Sequence, residues 1–475
     1  MPLTQRGRVM RVFWVLVLLA IGGVMAVVHS AGKVGVGYAA KQLCSGVFVS
    51  GLPARFVLDN DIEPRLATVP LLSRFLTTDI NGATASARVL TAQAEATYRA
   101  GYGCTLHGDI AESATPNPAA PSLASDLGAQ SKTQTTSAQH TATPQALTQI
   151  VDDAFAEPSG GGRNTLAMVV MHRGQLVAER YADPVAPSTR LQGWSMNKSL
   201  MASFVGIQVA KGDLALTDNV AARLTALGVP PKTFAGLSEA MTLKHLMSMT
   251  SGLDFEERYF PGDDVTEMLY GHGPMWQVPV GLGQRHEPGK VFSYSSGDTN
   301  VVSFLWQNTL GDEPYIDWLQ REVYAPLALT EPLLEPDVAG FQVGSSFANL
   351  TARDWARVGQ WWLDAWHGRD ALLSQGWQRT AVTPGDSVGG ANYGLGFWLN
   401  TEQRIFPDLS ENTFYSGGNS GQFVVVMPEA ELVVVRLGLT LEESKSAMAP
   451  VLVALNDYFS KQVPAPATKV ASALP

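Results

Sequence analysis

Between Ala146 and about Lys461 the strand-like runs lie at the two ends of the stretch and the helical patterns lie between them. That order constrains the fold more than any other feature. At the front, TLAMVVMHR and QLVAERYA are β-rich runs meeting near Gly174, a hairpin signal. At the back, Gln422 to Met427 and Glu431 to Leu437 read as two strands joined by a Pro-containing turn. An amphipathic stretch, ALTQIVDDAFAE, opens the region, and SAMAPVLVALNDYF closes it as a helical pattern with a break expected at Pro450. After GWSMNKS, the residues Leu200, Phe204, Ile207 and Val209 recur at helix-compatible spacing. A sheet assembled from both ends of the region, with a helical insertion between, satisfies these signals.

The rest of the chain divides by composition. Residues 34–110 hold apolar clusters (Val47 to Val49, Leu71 to Leu76) and both cysteines, and read as a small folded appended region. Residues 111–145 are rich in Ala, Ser, Thr, Pro and Gln, with no Phe, Trp or Tyr and almost no large aliphatic residue, too little apolar surface to offset the entropy of ordering, so a flexible linker is expected. The main domain then spans 146–462, and 463–475 is a linker-like tail. At the amino end Arg6, Arg8 and Arg11 precede an apolar run from Val12 to Val28. Within residues 1–33 this reads as a membrane anchor or a signal segment. The basic flank places the following chain on the exported side, periplasmic or extracellular. A weak cleavage site after Ser30 favours the uncleaved anchor, and secretion after cleavage is the alternative. Export also bears on Cys44 and Cys104. In an oxidising compartment two thiols pair; the other reading is two inert buried thiols.

The net charge of −10 argues against a phosphate-backbone binder, so no nucleic-acid partner is expected. No His-Glu-x-x-His, paired Cys-x-x-Cys or Walker-type loop occurs, so neither a metal nor a cofactor is called for. Ser195 and Lys198 sit one helical turn apart at the start of a helical pattern. At that spacing a desolvated lysine can take the serine proton, and the helix amino terminus offers backbone donors to an oxyanion. Spacing alone is weak, since Ser30 and Lys33 repeat it beside the apolar run, and a helix-capping serine is the plainer reading. Tyr294, between small polar residues in FSYSSG, suits a phenolic acid/base or a residue packed on a turn. YSGGNSGQ, entering the strand FVVVM, suits close approach of a substrate to a sheet edge or a plain Gly-rich loop. His245 and His286 lack an identifiable acid partner and read as structural or surface groups. Trp276, Tyr393 and Trp398 are candidates for a cleft wall, though packing is the commoner fate of such rings.

In their order and separation these motifs resemble the penicillin-recognising serine hydrolases. The branch that looks closest contains class C β-lactamases, family VIII esterases and 6-aminohexanoate-dimer hydrolases. LKHLMSMTSGLDF, EPGKVFSYSSGDTN, TARDWARVGQWW, NYGLGFWLN and GGNSGQFVVVMPE support it over about residues 146–460, and LCSGVFVSG and YGCTL look like the appended region of some exported members. The resemblance implies an α+β, β-lactamase-like fold: an antiparallel five-stranded sheet flanked by helices, with an all-helical subdomain. It implies Ser195 as nucleophile, Lys198 as its base, Tyr294 as proton carrier, and the amides of Ser195 and Gln422 as the oxyanion hole.

Two departures qualify the substrate. The family's third motif usually begins with Lys or His; here it reads Asn419, Ser420, Gly421, and a neutral Asn supplies no cation for a substrate carboxylate. Ser296 stands where class C β-lactamases carry an amide-binding Asn. With Ser296, Asn419, Ser420 and Gly421 as substrate contacts, the expectation is a small ester or linear amide rather than a β-lactam. The competing reading is a non-catalytic module of the same fold that binds a cell-wall or peptide ligand.

Overall fold

The computed structural model describes residues 14–15, 31–67, 72–107, 144–271, 273–330, 332–442 and 447–461. Apart from Trp14 and Val15, the Val12–Val28 run lies outside them, as do most of the 111–145 tract and the 463–475 tail. Among the described residues no helix is long and apolar enough to cross a membrane.

The first described helix, α1 (residues 31–44), is buried on nearly every side. Small residues permit that depth: a Cβ on Gly37 would lie 2.4 Å from the Tyr270 carbonyl oxygen. The expected boundary at residue 34 therefore falls inside a helix that the main domain packs around. Four strands follow, β1 (Thr77–Asn81), β2 (Thr84–Val89), β3 (Ala92–Arg99) and β4 (Gly103–Leu106), paired antiparallel in sequence order. A Cys44–Cys104 disulfide ties α1 to β4. Beside it, buried Glu335 of the main domain accepts from Lys41 Nζ (2.5 Å), Ser45 Oγ (2.9 Å), the Cys104 N–H (2.7 Å) and Asn349 Nδ2 (3.1 Å). A buried ion pair offsets its desolvation only when its remaining lone pairs are met, and these are.

The main domain carries β5 (Thr165–His172), β6 (Gln175–Tyr181), β7 (Arg190–Gln192), β8 (Leu333–Leu334), β9 (Ala348–Thr351), β10 (Trp398–Leu399), β11 (Phe414–Gly418), β12 (Gln422–Met427) and β13 (Leu432–Gly438). Its central sheet is antiparallel in the order β10-β11-β12-β13-β5-β6, so both ends of the domain meet at the β13–β5 pair. It has six strands, not five. The extra strand is the two-residue β10, paired through Trp398 with Tyr415 and Leu399 with Phe414, too short to show periodicity. Met168 and Val170 face α2 (Gln145–Asp153) and the last helix, Ala449–Ser460, while Val169 faces the opposite core. Both faces are covered, which is why Leu166–Met171, Phe423–Met427 and Leu432–Val435 run apolar without alternation. Pro450 does not break the last helix; it lies in its first turn, where its missing N–H costs nothing. The insertion between β7 and β8 is helical and includes α3 (Asn197–Lys211) and α4 (Ser296–Gln307). The three short strands β7, β9 and β8 form a second sheet.

Candidate active site

Ser195 lies in a one-turn 3-10 segment, Trp194–Met196, leading into α3. The turn is sharp. Trp194 has φ +51°, a left-handed conformation that costs a bulky residue about 1–3 kcal/mol and persists only where its surroundings impose it. Gly193 leaves room for it, since a Cβ there would lie 2.3 Å from the Trp355 ring. Lys198, on the first turn of α3, is 2% exposed. Its Nζ lies 3.0 Å from Ser195 Oγ, 3.0 Å from Ser296 Oγ and 3.1 Å from the Ser345 carbonyl oxygen. Burial pushes its ammonium down to about 8, against the opposing pull of the Glu257 and Asp298 carboxylates. A neutral amine satisfies all three contacts, with two N–H groups for Ser296 and Ser345 and a lone pair for the Ser195 hydroxyl.

Tyr294 precedes α4, whose amino end is capped by Ser295 accepting the Asp298 N–H. The Tyr294 ring centroid lies 4.8 Å from Lys198 Nζ. The ring stacks on Trp398 at 5.3 Å and meets Tyr393 edge-on at 5.9 Å, so these two aromatics do stand at the site. Trp276 does not; it stacks on Phe304 in the core. His245 caps the helix Leu243–Met247 through Thr242, a structural role.

Two contributors went unread in the sequence. Glu257 accepts from Ser296 Oγ (2.6 Å), the Ser296 N–H (2.7 Å) and Tyr259 Oη (2.8 Å). Ser296 thus gives its hydroxyl to Glu257 and receives Lys198, which makes it a link between the two rather than a free substrate contact. The Ser345 loop is held by Asn300, whose Oδ1 accepts the Ser345 N–H at 3.1 Å. No spacing rule points to either residue: Glu257 belongs to a loop, and Ser345 contributes only its carbonyl.

The third motif sits differently from expectation. Asn419, Ser420 and Gly421 form the tight turn joining β11 to β12, with Ser420 at φ +65° and Gly421 at φ +73°. Asn419 and Ser420 hydrogen-bond to Arg65 of the amino-terminal region, not to Lys198 or Ser195. A cation therefore does stand at the neutral motif, supplied from elsewhere in the chain. The segment lying against the Ser195 turn is the end of β11. Ser416 Oγ donates to the Met196 carbonyl at 3.2 Å, and a Cβ on Gly418 would lie 2.1 Å from the Gly193 carbonyl oxygen. Gln422 opens β12 opposite Gly418, and its side-chain amide is engaged at both ends by the Gly438 backbone. Among the described residues no His, Cys, Asp and Glu cluster could hold a metal.

Residues 147–454 match the family described as Beta-lactamase. A 6-aminohexanoate-dimer hydrolase from Paenarthrobacter ureafaciens is 25% identical over 237 residues, 46% of this chain and 58% of that protein, so the chain spans little more than half of that relative's length. Among solved structures, a putative 6-aminohexanoate-dimer hydrolase from Bacillus anthracis superposes with a TM-score of 0.54 at 20% identity, covering 66% of this chain and 82% of that one. A family VIII carboxylesterase superposes with a TM-score of 0.52 at 16% identity, covering 68% and 99%.

Proposed function

The chain belongs to the beta-lactamase family across residues 147–454, and from that premise we propose a serine hydrolase that cleaves a small ester or linear amide through an acyl-enzyme on Ser195. The observation that carries this reading is Lys198 Nζ, buried and 3.0 Å from Ser195 Oγ. A lysine pushed down to about 8 is a competent base near neutral pH. As neutral Lys198 takes the Ser195 proton, Ser195 Oγ attacks the carbonyl carbon. The amides of Ser195 and Gln422 are the proposed donors to the oxyanion. Tyr294, over the Lys198 amine, passes a proton to the leaving group and takes one from the deacylating water. The 6-aminohexanoate-dimer hydrolase named among the relatives supports a linear amide, and the family VIII carboxylesterase fold supports an ester. A purely binding module was suggested by the neutral Asn419; the Arg65 contact there removes that motive.

A panel of short-acyl esters, linear amides, D-Ala-D-Ala peptides and a chromogenic cephalosporin tests the substrate class. Turnover of an ester or linear amide is expected, abolished in Ser195→Ala; turnover unchanged in that variant would overturn the assignment. We further propose that the domain works on the exported side, held by an uncleaved Val12–Val28 anchor or released after cleavage. The full-length chain should sediment with membranes and need detergent for release. A mature chain beginning near Ala31 in the soluble exported fraction would replace the anchor with a cleaved signal.

A further inference from the structure

Arg65 lies on the helical segment Glu63–Leu66, outside the residues that match the family. Its Nη2 donates to Asn419 Oδ1 at 2.9 Å and to Ser420 Oγ, and its Nε donates to Asp61 Oδ1 at 3.2 Å. Asp61 is itself fixed, accepting from Tyr38 Oη at 2.6 Å and from Gln42 Nε2 at 3.1 Å, both on α1. The guanidinium lies 5.7 Å from the Trp194 ring and 5.9 Å from that of Tyr38. One planar cation therefore touches side chains carried by two strained turns at once. Trp194 at φ +51° carries the nucleophile on its next residue, and Ser420 at φ +65° closes the hairpin whose strand end abuts Gly193. Strained turns keep a single conformation only when neighbours over-determine them. Here part of that determination comes from the amino-terminal region, tied to the main domain through Lys41, Ser45 and the Cys104 amide on Glu335.

We propose that Arg65 is a positioning residue for catalysis: by clamping the Asn419–Ser420 turn beside Trp194, it holds the nucleophile turn and the sheet edge facing it in one working arrangement. The inference rests on Ser195 being the nucleophile. The amino-terminal region is then a working part of the enzyme. The planar fork matters because two acceptors on one turn and one on Asp61 lie in different directions, which a point-charge ammonium meets less well.

The test is kcat per labelled serine in Arg65→Ala and Arg65→Lys, with the active fraction counted by stoichiometric fluorophosphonate labelling on the full chain. Misplacing reacting groups by about 1 Å costs on the order of 10²-fold, so Arg65→Ala should lose ~10- to 10²-fold in kcat with KM changed less than about threefold. Arg65→Lys should recover part of the loss. The Arg65→Ala and Asn419→Ala losses should be less than additive in the double variant, since both break the same clamp. A merely structural role would lower the labelled fraction and the melting temperature yet leave kcat per labelled serine unchanged, and that result overturns the proposal. Absence of labelling at Ser195 in the unaltered enzyme would instead overturn the reading beneath it, so the two failures are told apart.

Discussion

At the residue scale, the site is a short chain of hydrogen bonds: Ser195 to Lys198, Lys198 to Ser296, Ser296 to Glu257. The sign of its pH response follows. Lys198 acts as a base only when neutral, so kcat/KM should rise with pH through an apparent pKa of about 8. Glu257 and Asp298 are the anions that favour its charged form. Removing one of them, Glu257→Gln, leaves burial less opposed and should move that limb to lower pH, even if the lost grip on Ser296 lowers the plateau. A limb that stays in place would show that Glu257 does not act on Lys198. Tyr294→Phe removes one oxygen from a stacked ring, so folding should survive while turnover falls by about 10² to 10⁴-fold. Turnover within twofold of the unaltered enzyme would place the proton carrier elsewhere. Ser195, Lys198 and Tyr294 could be singled out because their motifs, taken in order, resemble the family's, and the structure brings the three side chains together. Glu257 was not, because its meaning comes from a loop folding back onto α4.

At the element scale, β11 packs against the Ser195 turn with no room for a side chain at Gly418. Gly418 on β11 faces the Gly193 carbonyl with no space for a Cβ, whereas a Cβ on Gly417 would meet the Tyr415 ring at 3.3 Å, and a ring can shift. Gly418→Ala should therefore displace β11 from the Ser195 turn and lower kcat by roughly 10²-fold, with Gly417→Ala the milder change. Equal rates in the two variants would remove β11 from the site. The strands at both ends of the main domain were readable from their apolar runs and from the Gly174 turn, which sits at φ +75°. The meander β1–β4 was not anticipated, although Gly82 and Ala83 form a two-residue hairpin turn between β1 and β2, with Gly82 at φ +58°. Its strands are polar and Ala-rich, so alternation was faint. The third motif was misplaced for a related reason: Gly417, Gly418 and Gly421 all allow a turn, and sequence alone does not say which glycine closes it.

At the scale of the molecule, the amino-terminal region and the main domain share one hydrophobic core, in which α1 is an internal element. Breaking a buried ion pair by removing one partner costs about 3–5 kcal/mol, so Lys41→Met should lower the melting temperature sharply by stranding Glu335. A change near zero would show that Ser45, Asn349 and the Cys104 amide suffice for that carboxylate. A fragment of residues 144–461 should be poorly soluble, since it lacks α1 and exposes the surface α1 covers; a soluble, fully active fragment would contradict the shared core. Composition suggested two parts, but it started the first of them inside α1 and did not show that they fuse, because fusion depends on single buried contacts such as Lys41 with Glu335. The proposed hydrolysis requires one covalent event. Intact-protein mass spectrometry after brief exposure to a fluorophosphonate, with peptide mapping, should find one adduct, on Ser195, in the unaltered chain and none in Ser195→Ala. An adduct that persists in Ser195→Ala, or none in either protein, would contradict it.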